Sequence, residues 1–142
     1  MRLTAASVAA LLTLGTCHAG ASSSASISRD GDGVLVLTAR NWDVALAQHD
    51  PLFINFYAPD CDYCELVAPE WAAAARSLAS EGLVLAKMDV APEAERPIAV
   101  TYLMNKSITL PALCWIKGGV PSQYHGERNA VRCCRVWVQE AG

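Results

Sequence analysis

Two cysteines separated by two residues, Cys61 and Cys64, close an apolar run and open a helical pattern. At a helix N-terminus Cys61 would meet partial positive charge and free amide protons, which favour its thiolate. Cys64, about one turn on, could close a disulfide with it. The chemistry this allows is thiol–disulfide exchange. In the oxidised form a substrate thiolate attacks the disulfide and leaves joined to it. In the reduced form Cys61 attacks a substrate disulfide as nucleophile, and Cys64 releases the product as resolving thiol. Two other uses of such a pair remain open, a static staple and half of a zinc site. A staple closing so short a loop constrains little of the unfolded chain. Zinc would need two further ligands, and only the adjacent Cys133 and Cys134 offer a second close pair.

The elements that must position this pair can be read from hydrophobic periodicity. Val34–Thr38 is a short β-branched and aliphatic run, followed by Asn41–Ala47, where Asn41 can cap a short helix. Leu52–Tyr57 is apolar without alternation except at Asn55, the pattern of a central strand covered on both faces. Asn55 would then be a buried polar group in need of partners. From Cys61 to Ser80, Val67, Trp71, Ala74 and Leu78 recur at helical spacing, with a kink expected at Pro69 and a stop at Gly82. Leu83–Asp89 reads as a third strand and Pro92–Tyr102 as a helix that starts or restarts at Pro97. Ala112–Ile116 and Val120–His125 flank Lys117-Gly118-Gly119 as a hairpin, and a closing amphipathic helix follows from Arg128. The alternation of strands and helices calls for an α/β sheet with helices on both faces.

The chain has 142 residues, 11 Lys plus Arg against 14 Asp plus Glu, and a net charge of −3, which argues against a polyanion-binding protein. Hydrophobic residues make up 53% and charged residues 18%, too apolar for disorder, and the length suits one domain. Met1-Arg2 followed by the uncharged stretch Leu3–Gly15 reads as a secretory signal peptide over residues 1–19. That run is shorter than the roughly 20 apolar residues of a membrane span. Residues 20–33 lack a hydrophobic period and read as a flexible lead-in, with the domain occupying residues 34–142. Cleavage would remove Cys17 and deliver the remaining cysteines to an oxidising compartment. Cys114 and Cys134 are expected in the core, whereas Cys133 could link to a partner chain.

The run Phe56-Tyr57-Ala58-Pro59-Asp60-Cys61-Asp62-Tyr63-Cys64, with Leu66-Val67-Ala68-Pro69-Glu70-Trp71 after it, resembles the catalytic domain of protein disulfide isomerases, within the thioredoxin superfamily. The resemblance extends from about Val34 to the C-terminus. It implies a thioredoxin fold, a central mixed β-sheet flanked by helices on both faces, and dithiol–disulfide exchange on protein substrates of the endoplasmic reticulum lumen or the secreted space. It further implies that Pro111 is the family's cis-proline, with Leu110 before it pairing with substrate backbone. Arg128 matches the arginine that can stabilise the Cys64 thiolate. Neither a cofactor nor a metal is implied, and the expected partners are proteins or peptides bearing thiols or disulfides, with no nucleic acid and no membrane after signal cleavage.

This chain departs from the family pattern beside the cysteines. Family members usually carry Trp-Cys-Gly-His-Cys, whereas here Asp60 stands for the tryptophan and Asp62-Tyr63 for the Gly-His pair. Two carboxylates beside Cys61 oppose its ionisation, and the lost histidine removes a group that stabilises the thiolate. A weaker oxidant than a typical isomerase domain is expected. Asn55 stands where the family has a buried glutamate paired with the lysine matched by Lys87, and asparagine cannot act as a base. Proton transfer at Cys64 is expected to use water, Asp60 or Asp62, while Lys87 reaches solvent or pairs with Asp89. The same losses also fit a second reading, a catalytically poor chaperone or partner-binding module. Asn105-Lys106-Ser107 forms a glycosylation acceptor at Asn105.

Overall fold

The structure is a computed structural model and describes residues 25–104 and 109–125. Six strands and three helices follow in the order β1 (Ser28–Arg29), β2 (Leu35–Leu37), α1 (Trp42–Gln48), β3 (Leu52–Tyr57), α2 (Asp62–Leu78), β4 (Val84–Asp89), α3 (Arg96–Leu103), β5 (Ala112–Lys117) and β6 (Val120–Tyr124). They build one mixed sheet of order β1-β2-β4-β3-β5-β6. β3 runs parallel to β4 and antiparallel to β5, so it lies inside the sheet, as its continuous apolar run requires.

The alternation of β3 sends its side chains to two cores. Leu52, Ile54 and Phe56 pack with Trp42 and Ala45 of α1 and with Ala99 and Leu103 of α3. Phe53 faces the other way, stacked on Trp71 of α2 at 5.1 Å between ring centroids, with Trp115 edge-on at 5.5 Å. Trp71 also donates its indole N–H to the Ala86 carbonyl at 3.1 Å, which ties α2 to β4. By the period of two, Asn55 shares the α2 face with Phe53, and Lys87 shares it with Leu85.

Local chemistry explains most boundaries. α2 runs through Pro69, whose missing N–H leaves the Glu65 carbonyl without its helical donor. A single 3₁₀ turn, Ala79–Glu81, follows, and Gly82 takes the left-handed conformation at φ 74°. Gly118 and Gly119 hold φ of 57° and 75°, the two positive values that a tight two-residue hairpin between β5 and β6 needs.

Two readings require correction within this frame. Residues 28 and 29 are not lead-in but an antiparallel edge strand, Ser28 opposite Val36 and Arg29 opposite Leu35. Apart from Ile27, which packs against the α1–α3 core, the tie is polar, which is why periodicity passes over it. The Asp30 carboxylate accepts hydrogen bonds from the Asp32 and Val34 amides, both at 3.0 Å, and so closes a turn into β2. Asn41 sits at the N-cap of α1 but does not cap it with its side chain. Its amide instead accepts from the Thr38 N–H at 2.8 Å and donates to the Val36 carbonyl at 3.0 Å, bracing the turn out of β2. The signal segment, Asn105, and the closing helix with Arg128, Cys133 and Cys134 lie outside the described residues.

Candidate active site at the start of α2

Cys61 is the N-cap residue of α2, in extended backbone conformation, and forms a disulfide with Cys64 across a Cα–Cα distance of 5.2 Å. The Cys61 Sγ accepts a hydrogen bond from the Cys64 amide at 3.2 Å, and the Cys61 carbonyl accepts from the Cys64 and Glu65 amides. When the pair is reduced, that amide and the aligned dipoles of a 17-residue helix favour negative charge on Cys61. The two sulfurs differ in access. Cys61 is half-buried, whereas Cys64 is only 5% exposed, so an incoming thiolate reaches Cys61 first.

Behind the disulfide lies a cavity of about 390 Å³, lined by residues that include Cys64, Asn55, Lys87, Asp30 and Trp71. Asn55 is 4% exposed, and its side-chain oxygen has no hydrogen-bond partner among the described residues. Its register partner across the parallel β3–β4 pair is Lys87. The Lys87 ammonium turns to the Asp30 carboxylate at 2.6 Å, and not to Asp89, which accepts from the Ala91 amide at 2.8 Å. Asp30 is therefore a site residue that the sequence reading missed. Burial opposes its charge, but hydrogen bonds from Lys87 and from the Val34 and Asp32 amides outweigh that and hold its carboxyl below the ordinary value of 3.8.

Asp60 and Asp62, read as alternative proton carriers, are both exposed and do not line the cavity. Tyr63 and Leu66 stand one turn apart on α2 and are 68% and 69% exposed, which leaves an apolar pair beside the disulfide. Leu66 was also missed, although its spacing from Tyr63, off the Val67–Trp71–Leu78 stripe, was visible in the sequence. The Leu110–Pro111 bond is cis, Pro111 is fully buried, and Leu110 packs against the α1–α3 core. Cys114 is fully buried on β5, and burial pushes its thiol up to about 12, so it stays protonated and inert. Among the described residues no group of three or more His, Cys, Asp or Glu side chains is arranged to hold a metal.

This architecture, a mixed sheet with a disulfide at the start of its longest helix, defines a class. The thioredoxin family matches residues 33–134, and the chain belongs to that family. Within it, the resemblance is to the disulfide-isomerase type. The chain is 53% identical over 66 residues to a protein disulfide-isomerase of Gallus gallus, covering 45% of this chain and 13% of that one. It is 35% identical over 121 residues to a protein disulfide-isomerase of Drosophila melanogaster, covering 84% of this chain and 23% of that protein. The chain thus spans less than a quarter of the length of either relative. Among solved structures, it superposes on the first thioredoxin domain of mouse protein disulfide-isomerase A4 with a TM-score of 0.72 at 25% identity, covering 89% of this chain and 87% of that domain.

Proposed function

We propose that this chain is a thiol–disulfide oxidoreductase domain that exchanges disulfides with the cysteines of proteins in the secretory pathway. The observation that carries the reading is the asymmetric Cys61–Cys64 disulfide, with Cys61 reachable at the helix N-terminus and Cys64 buried behind it. A substrate thiolate attacks the Cys61 sulfur, the Cys61–Cys64 bond breaks, and Cys64 leaves as a thiolate that takes up a proton. A second substrate thiolate then attacks the substrate sulfur of the mixed disulfide and expels Cys61. Two electrons pass from substrate to enzyme. In the reverse direction the reduced Cys61 attacks a substrate disulfide and Cys64 releases it.

In this reading Leu110, Pro111 and the exposed Tyr63 and Leu66 meet the substrate chain, and Arg128 assists the Cys64 thiolate. Asp60 and Asp62 make the domain a weaker oxidant than family members with tryptophan and Gly-His in those places. The compartment would be the endoplasmic reticulum lumen or the secreted space, reached through the signal segment, with Asn105 a glycosylation acceptor and Cys133 free to bond a partner.

The test is reduction of insulin by the reduced chain in the presence of dithiothreitol. Wild type should accelerate insulin precipitation, Cys61→Ser should abolish the effect, and pre-reduced Cys64→Ser, freed of dithiothreitol before insulin is added, should accumulate a mixed disulfide with insulin through Cys61. Capture of unfolded polypeptide that persists without either cysteine, with no insulin reduction by wild type, would support the binding-module reading instead.

A further inference from the structure

Cys64 opens onto a cavity whose charged and titratable lining groups, among the described residues, are few. They are Asp30 and Asp32 from the turn before β2, Tyr57 from β3, Glu65 from α2 and Lys87 from β4. Asp32 is 44% exposed in its side chain and pairs outward with Arg76 of α2, and Glu65 is exposed, so water screens both. Asp30 and Lys87, at 24% and 30% side-chain exposure, are the ion pair set furthest from water, and they lie on the face that Asn55 occupies without a charge. Both line the cavity together with Cys64, so their charges act on it through a medium less screened than bulk water.

We infer that Asp30 is a positioning and tuning residue for the redox pair: by holding and neutralising the Lys87 ammonium in the cavity, it keeps Cys64 protonated once the disulfide is reduced. Left alone, the Lys87 charge would favour a Cys64 thiolate and stabilise the dithiol form. With Asp30 in place that stabilisation is cancelled, and the pair is held towards the reducing end of its range. The carboxylate therefore comes not from β3 but from the edge-strand turn, through the same turn that Asp30 closes by accepting from the Asp32 and Val34 amides. The inference rests on the thiol–disulfide exchange reading.

Asp30→Asn isolates the charge. The asparagine oxygen can still accept both amides and keep the turn, while the ion pair to Lys87 is lost. Two measurements on the full chain read the outcome. The first is the pH dependence of Cys64 alkylation in a Cys61→Ser background, followed on the Cys64 peptide by mass spectrometry. Asp30→Asn should lower its midpoint by about one unit, a tenfold gain in thiolate at low occupancy. Lys87→Met should raise it, and the Asp30→Asn/Lys87→Met pair should return it to the wild-type position.

The second is the equilibrium in which the disulfide and two glutathiones give the dithiol and one glutathione disulfide. Because charge acts only on the thiolate, Asp30→Asn should shift this towards the dithiol several-fold at pH 9 and by less than twofold at pH 6. An unmoved alkylation midpoint overturns the inference. So does a shift that Lys87→Met fails to reverse, or an equilibrium change equal at both pH values, which would mark a structural role for Asp30. Failure of the wild-type disulfide to exchange with glutathione at all would count instead against the oxidoreductase reading, and the alkylation arm would still be readable.

Discussion

Asn55 and Lys87 stand opposite each other across the parallel β3–β4 pair, yet the Lys87 ammonium is bonded to Asp30, 57 residues away along the chain. The Asn55 oxygen is left buried without a partner among the described residues. A position that adjoins a lysine at the back of a redox site is thus electrically neutral, and the balancing charge arrives from the turn between β1 and β2. Two consequences can be measured separately.

The orphaned Asn55 oxygen bears an unfavourable desolvation of about 1–3 kcal/mol. Replacing the whole amide by an apolar group removes that burden, and the cavity leaves room for a larger side chain. Asn55→Leu should therefore be neutral or more stable by about 1 kcal/mol in urea unfolding. A loss above about 2 kcal/mol would show that the amide is held by a bound water whose bonds the leucine cannot replace.

The Asp30–Lys87 pair makes the N-terminal edge acid-sensitive. A carboxyl held below its unfolded value contributes stability that is complete above that value and is lost as pH falls through the native one. The contribution of Asp30 should be intact above the ordinary value of 3.8 and decline as the pH drops below it. In urea unfolding followed from pH 6 to pH 2, Lys87→Met should lose less stability in the acid range than wild type. Parallel curves for the two proteins would show that the ion pair contributes nothing.

The sequence was legible where the physics is local and apolar. Leu52–Tyr57 announced a central strand because six residues without charge cannot face water, and the structure places them between two partners. The cysteine pair announced its helix because Val67, Trp71, Ala74 and Leu78 recur on one face, and all four are buried. The partner of Lys87 was not legible. Ser28–Arg29 is two exposed residues long, with no hydrophobic period, and Asp30 meets Lys87 only across 57 residues of chain, a contact that the fold alone brings about. Asn41 was placed correctly at a helix start, but its side chain serves the preceding turn, a choice that depends on backbone groups brought together by the fold.

Cys114 provides a check on which thiols can react. With its thiol pushed up to about 12 by burial and no exposed surface, it should resist iodoacetamide at pH 8 in the folded chain and react at the rate of a free cysteine in 6 M guanidinium. Peptide-level mass spectrometry distinguishes it from the other cysteines. Modification of Cys114 in the folded, reduced chain at a rate close to that of Cys61 would mean that β5 opens far more readily than its central packing implies.

The exposed pair Tyr63 and Leu66 separates recognition from chemistry. Neither side chain touches the reacting sulfurs in an exchange with a small thiol, but a protein substrate at Cys61 would cover both. Each apolar side chain covered contributes about 1 kcal/mol, at roughly 25 cal/mol per Å² for some 40 Å² withdrawn from water. The Tyr63→Ser/Leu66→Ser variant should therefore lose about tenfold or more in kcat/KM for a reduced, unfolded protein substrate, mostly through KM. Exchange with glutathione disulfide should stay within twofold of wild type. Equal losses on both substrates would place the effect on the start of α2 itself, and would remove these residues from the substrate-binding surface.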